Sequence, residues 1–128
     1  MNTELTCLAA SGVLCLALPL VYGALYQKQV GFPGVSGNRE DVPKPIGAAG
    51  RGLRAHWNLI ENLVPFAIAV MLAHAAGVAN SMTVAGAEIF LGARLVHAVT
   101  YLLGITRIRT LAYFSGVVGT ALIFIQLI

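Results

Sequence analysis

Three groups of side chains in this sequence have types and spacings suited to chemistry. Arg54, Asn58 and Glu61 recur at i, i+4 and i+7; Arg94, His97 and Tyr101 recur at i, i+3 and i+7; and Arg107-Ile108-Arg109-Thr110 follows shortly after. On helices the first two groups form one-sided polar stripes. Two such stripes facing one another would line a polar cleft. Arg109, at the head of a further helix, combines a fixed positive charge with the positive end of the helix dipole, and both favour an anion.

The elements that must hold these residues are membrane spans. Of 128 residues, 58% are hydrophobic and 10% charged, with a mean hydropathy of +0.82. That is too apolar for a water-soluble domain and too short for more than one domain. A helix needs about 20 apolar residues to cross a bilayer. Four runs of that kind are present, at 5–25, 53–74, 82–103 and 108–128, and the segment 27–50 reads as a Gly- and Pro-rich loop. The expected fold is an all-α, integral membrane four-helix bundle occupying residues 1–128 as one domain. The first span is preceded by Glu4 and no cation and exceeds the apolar core of a signal peptide, so it is expected to be a true span.

Lys28, Arg39, Lys44, Arg51 and Arg54 lie in or beside the first connection, Arg107 and Arg109 in or beside the third, and the second connection carries no cation. The positive-inside rule then puts the first and third connections in the cytoplasm and both termini on the other side. Topology accounts for every cation except Arg94, which removes the argument for nucleic acid. At about 1.5 Å per residue from the cytoplasmic edge, Arg54 and Tyr101 lie roughly 4.5 Å deep, Asn58 and His97 roughly 10 Å, and Glu61 and Arg94 roughly 15 Å. A lone charge at that depth is expensive, so Glu61 and Arg94 are expected to neutralise one another, within a subunit or between subunits.

Cys7 and Cys15 share the first span, roughly 12 Å apart along one helix, beyond disulfide reach. Tyr22, Tyr26 and Trp57 are expected as interfacial anchors. His56 points away from the Arg54 stripe, and Glu88 near the outer side has no evident partner. No P-loop, dinucleotide-binding glycine motif, CxxC or HExxH occurs. A channel would need a polar path through the whole bilayer, whereas this one stops near its middle.

The segments RAHWNLIENLVPF (54–66), GARLVHAVTYLLG (92–104) and RIRTLAYF (107–114) resemble the MAPEG family, the membrane-associated proteins of eicosanoid and glutathione metabolism, and within it the bacterial branch. The resemblance covers about 51–128 and is weak in the first span. It implies a homotrimer in a bacterial inner membrane, with glutathione as co-substrate held from the cytoplasmic side between neighbouring subunits. It also implies that Arg54, Asn58, Glu61, His97 and Tyr101 contact glutathione, that Arg94 is a buried basic residue of the site, and that Arg109 and Thr110 stabilise the thiolate. Two positions depart from the family pattern. Trp57 stands where the eicosanoid enzymes often carry a polar or basic residue, and the Tyr101–Arg109 connection is one residue shorter, so Arg107 competes with Arg109.

A thiol mostly protonated at neutral pH needs a nearby cation to become a nucleophile. The resemblance therefore implies a glutathione transferase or peroxidase acting on a lipophilic electrophile from the bilayer, without a metal. The alternative is a non-catalytic scaffold or regulator that keeps the trimer and binds glutathione or lipid. The two differ in whether Arg109 lowers the pKa of the bound thiol.

Overall fold

The computed structural model describes residues 2–128 and contains four helices, α1 (Thr3–Ser36), α2 (Gly47–Ala75), α3 (Ser81–Leu103) and α4 (Thr106–Ile125). Each is long and apolar enough to cross a membrane, and the protein is an integral, multi-pass membrane bundle. α1 packs on α2 and α3, and α4 packs on α3 and α2; among the described residues the backbones of α1 and α4 stay apart. The bundle has a loop end, carrying the α1–α2 loop and the α3–α4 turn, and a far end, carrying both termini and the α2–α3 connection.

Local sequence explains where the helices stop. Asn2 caps α1 by accepting the Leu5 N–H at 3.0 Å. At α3 the Asn80 side chain takes the N–H groups of Met82 and Thr83 while Thr83 Oγ1 returns to the Asn80 N–H, a reciprocal capping box. α3 ends at Gly104, whose φ of 78° is the left-handed conformation a side chain resists. Only Gly104 and Ile105 separate α3 from α4, so α4 begins directly beside Tyr101.

The expected loop over 27–50 is shorter than composition implied. α1 runs on through Gln27, Lys28 and Gln29, which are competent helix formers once clear of lipid, then breaks at Gly31 (φ 75°, ψ 170°) and resumes to Ser36. α2 already starts at Gly47. The remaining loop is tied to α1: the Gln29 amide accepts the Ile46 N–H at 3.2 Å and donates to the Ile46 carbonyl at 2.8 Å, and Tyr26 Oη donates to the Pro43 carbonyl at 2.6 Å. Each bond contributes about 1 kcal/mol. Gln29→Leu should therefore leave helix content unchanged in circular dichroism but speed proteolysis within 37–46 by roughly thirtyfold, the factor that two such bonds can supply.

Toward the far end the core is Cys7, Phe66, Ala69, Val70, Ala73, Ala87, Phe90 and Ile123, with Phe66 and Phe90 stacked 3.8 Å apart between centroids. Glu4, buried in the first turn of α1, accepts a hydrogen bond from Thr83 Oγ1 at 2.6 Å. α3 and α4 cross backbone to backbone: a Cβ on Gly86 would lie 2.6 Å from the Gly119 carbonyl, and one on Gly119 2.6 Å from the Gly86 carbonyl. Small residues permit this closeness, the usual solution between helices in lipid. A second cluster, Leu18, Leu59 and Ala98, joins α1, α2 and α3. Leu16, Leu20, Val64, Ile68, Val99 and Leu111 are all exposed, as an exterior facing lipid requires.

Candidate functional site

A cleft of about 230 Å³ opens among α2, α3 and α4, lined by Asn58, His97, Tyr101, Arg109, Thr110 and Tyr113. α3 contributes His97 and Tyr101 one turn apart, with their rings edge to face at 5.4 Å. The short α3–α4 turn brings Arg109 back over Tyr101, its guanidinium carbon 4.3 Å from the ring centroid, a cation–π contact that fixes where the charge points. The N-cap residue of α4, Ile105, makes no side-chain cap. The first-turn N–H groups of α4 are thus left for water or an anion.

Arg94 lies behind the cleft and meets it through Asn58. It is 1% exposed, with Nη1 donating to Asn58 Oδ1 at 3.0 Å and Nη2 to the Tyr113 carbonyl at 2.9 Å. Its guanidinium carbon lies 5.4 Å from the Phe90 ring and 5.6 Å from the Tyr113 ring, and Nε has no hydrogen-bond partner. Space for this side chain exists because residue 116 is glycine; a Cβ there would fall 2.3 Å from Nη2. Arginine can only donate, so Asn58 must turn its oxygen toward Arg94. Asn62 Nδ2 donates to the Asn58 backbone carbonyl at 2.8 Å and lies 3.5 Å from Asn58 Oδ1, on the same side as Arg94, and the Asn58 NH₂ group is left as a donor for a ligand.

The family model described as the MAPEG family matches residues 3–128. The chain belongs to the MAPEG family. The match includes α1, where the resemblance carried by the motifs was weak, and so extends over essentially the whole bundle. The MAPEG family includes glutathione transferases and related enzymes, and membership supports a glutathione-related membrane function of transferase or isomerase type. No curated protein matches the sequence.

In this MAPEG chain, five of the residues picked from the sequence line the cleft together: Asn58, His97, Tyr101, Arg109 and Thr110. Arg94 adjoins it through Asn58. Arg54 and Glu61 do not join it; both are exposed on α2. The expected Glu61–Arg94 pair is not formed within the chain, because Arg94 spends its two Nη groups on Asn58 and the Tyr113 carbonyl. Helical phase explains this. At about 100° per residue, Glu61 lies within about 20° of Arg54 but about 60° from Asn58, so the stripe splits into an inner edge and an outer one.

Arg107 is exposed and Arg109 half-buried against Tyr101, so of the two competing arginines only Arg109 lines the cleft. The Thr110 hydroxyl donates to the Thr106 carbonyl at 3.1 Å and keeps its lone pairs for the cleft. Glu88 is exposed on the single chain, as is Trp57. His56 points away from the stripe, as expected, and packs on α1. Three contributors escaped the sequence reading: Tyr113, one turn beyond Arg109; Asn62, one turn beyond Asn58; and Gly116, which reads as a helix-packing residue until Arg94 is seen beside it.

Proposed function

We propose that the protein is a glutathione-dependent transferase that conjugates the glutathione thiolate to lipophilic electrophiles. The observation that carries this reading is Arg109 held over Tyr101 at the uncapped start of α4, in one cleft with Asn58, His97 and Tyr101. A thiol seated there loses its proton more readily because the guanidinium and the first-turn N–H groups both favour the anion. The sulfur lone pair then attacks an electrophilic carbon entering from the bilayer, a carbon–sulfur bond forms, and the leaving group departs with its electron pair. The Asn58 NH₂ group and His97 hold the peptide in place. With a hydroperoxide as the electrophile, the same thiolate would act as a peroxidase.

Glutathione is larger than the cleft, and its carboxylates need cations outside it. Arg54 and Glu61, exposed on α2, complete the site against a neighbouring copy in a homotrimer, where Glu61 receives the peptide's amino group or a partner cation. The loop end carries all cations but Arg94 and so faces the cytoplasm, where glutathione is found.

Titration of glutathione into the purified protein, followed by ultraviolet thiolate absorbance at neutral pH, tests the proposal. A saturable thiolate signal is expected. Binding without a thiolate signal, or no binding, would leave a MAPEG scaffold that does not activate the thiol. Tyr113→Phe should weaken binding only several-fold and leave the thiolate signal in place, because Arg94 bonds the backbone carbonyl of residue 113 and not its phenol.

A further inference from the structure

A second cluster of reactive groups lies on the opposite side of α2 from the cleft, where α2 meets α1. Cys15 Sγ is 3.7 Å from His56 Nε2, and His56 Nδ1 is 3.4 Å from Tyr22 Oη. The Tyr22 and His56 rings pack with centroids 5.7 Å apart. When Nδ1 carries the imidazole proton and donates to Tyr22 Oη, Nε2 is left as an acceptor facing the thiol. A nucleophile, a base within reach of it and a third group orienting the base form the arrangement that activates a cysteine. About 200° around α2 from Asn58, these residues take no part in the glutathione cleft.

Access comes from the bilayer. Only Glu4, Cys7, Ser11 and Leu18 of α1 are buried, and Cys15 sits half-buried on the flank of the Leu18–Leu59–Ala98 cluster, next to the exposed Leu16. Cys7 offers the contrast within the same helix: it is buried in the far-end core among aliphatic and aromatic side chains. The two cysteines therefore differ in both access and base.

We propose that Cys15, His56 and Tyr22 form a second reactive site, a thiol that captures lipophilic conjugated carbonyl compounds from the membrane. The thiol proton passes to His56 Nε2 as the sulfur lone pair forms a bond to the β-carbon of the conjugated double bond. The displaced π pair moves to the α-carbon, which takes the proton back from the imidazolium. The product is a saturated carbonyl thioether, and no oxidant, reductant or third reactant is needed. Tyr22 is a positioning residue that holds the imidazole.

The test uses the intact protein in lipid vesicles without glutathione, so that its outcome is independent of the thiolate titration. A medium-chain enal such as trans-octenal is added, adducts are trapped with borohydride, and the modification of each cysteine is timed by peptide mass spectrometry. Cys15 is expected to react on the order of a hundredfold faster than Cys7, the scale of a positioned base, and His56→Gln should remove most of that difference while Cys7 stays protected. Equal rates at Cys15 and Cys7 in the native protein would overturn the proposal. So would an unchanged Cys15 rate in His56→Gln with Cys7 still protected. If Cys7 becomes reactive in that variant, the fold has opened, and Tyr22→Phe decides: slower capture at Cys15 supports the site, an unchanged rate refutes it.

Discussion

Arg109→Ala is expected to abolish the thiolate absorbance of bound glutathione and to lower transferase turnover by roughly a hundredfold, the scale of removing one preorganised charge from a reacting anion. The charge at this point has no substitute in the chain. Arg107, two residues earlier, is exposed and does not line the cleft, and Arg94 is committed to Asn58 and the Tyr113 carbonyl. Thr110 offers at most a hydroxyl, already donated to Thr106. Arg107→Ala should accordingly leave the thiolate signal intact. Arg109→Lys keeps the charge but loses the planar group that stacks on Tyr101 at 4.3 Å, so an intermediate signal is expected. Binding measured by calorimetry should weaken far less than turnover, because Asn58, His97 and Tyr101 are untouched. A thiolate signal surviving in Arg109→Ala would move activation to another group and remove the basis of the proposed chemistry.

Much of this architecture is legible in the sequence because lipid imposes so few solutions. Backbone groups in a bilayer must be satisfied within the helix, so an apolar run of adequate length specifies both element and extent, and α2, α3 and α4 begin and end within a few residues of their hydropathy limits apart from the earlier start of α2. The α1 extension was not legible because Gln27 to Gln29 leave the lipid, where polarity no longer argues against helix, and the break at Gly31 depends on one backbone conformation. Spacing grouped Asn58 with Arg54 and Glu61, but a stripe about 60° wide is wide enough to straddle the boundary between a packed face and an open one. Matching depths then paired Glu61 with Arg94, when the inner edge of the stripe gave Arg94 an amide instead. Tyr113 carried no polar signal beyond its aromatic neighbours, and Gly116 records the volume of a side chain on another helix, which no local pattern contains.

That volume makes Gly116→Ala the most informative stability variant. In an ordinary helix the change from glycine to alanine stabilises by about 0.5–1 kcal/mol, and at Gly12, where an added Cβ meets nothing within 4 Å, this is the expected direction. At Gly116 the same methyl would lie 2.3 Å from Arg94 Nη2, 2.8 Å from Nε and 2.9 Å from Cζ. Arg94 cannot retreat without leaving Asn58 and the Tyr113 carbonyl, and α4 cannot retreat because Gly119, one turn on, is pressed against the Gly86 carbonyl and the Phe90 amide. The strain and the lost hydrogen bond to a buried cation should together cost about 2–5 kcal/mol, read as a lower midpoint in denaturing-detergent titration. The thiolate signal should fall as well, since Asn58 loses the partner that orients its amide. Arg94→Met separates the causes. If the clash with the guanidinium is what destabilises, Gly116→Ala combined with Arg94→Met will cost markedly less than the sum of the single changes, a coupling expected only for side chains in contact. Additive costs would mean that residue 116 is confined by something other than Arg94, and the buried arginine would no longer explain the glycine.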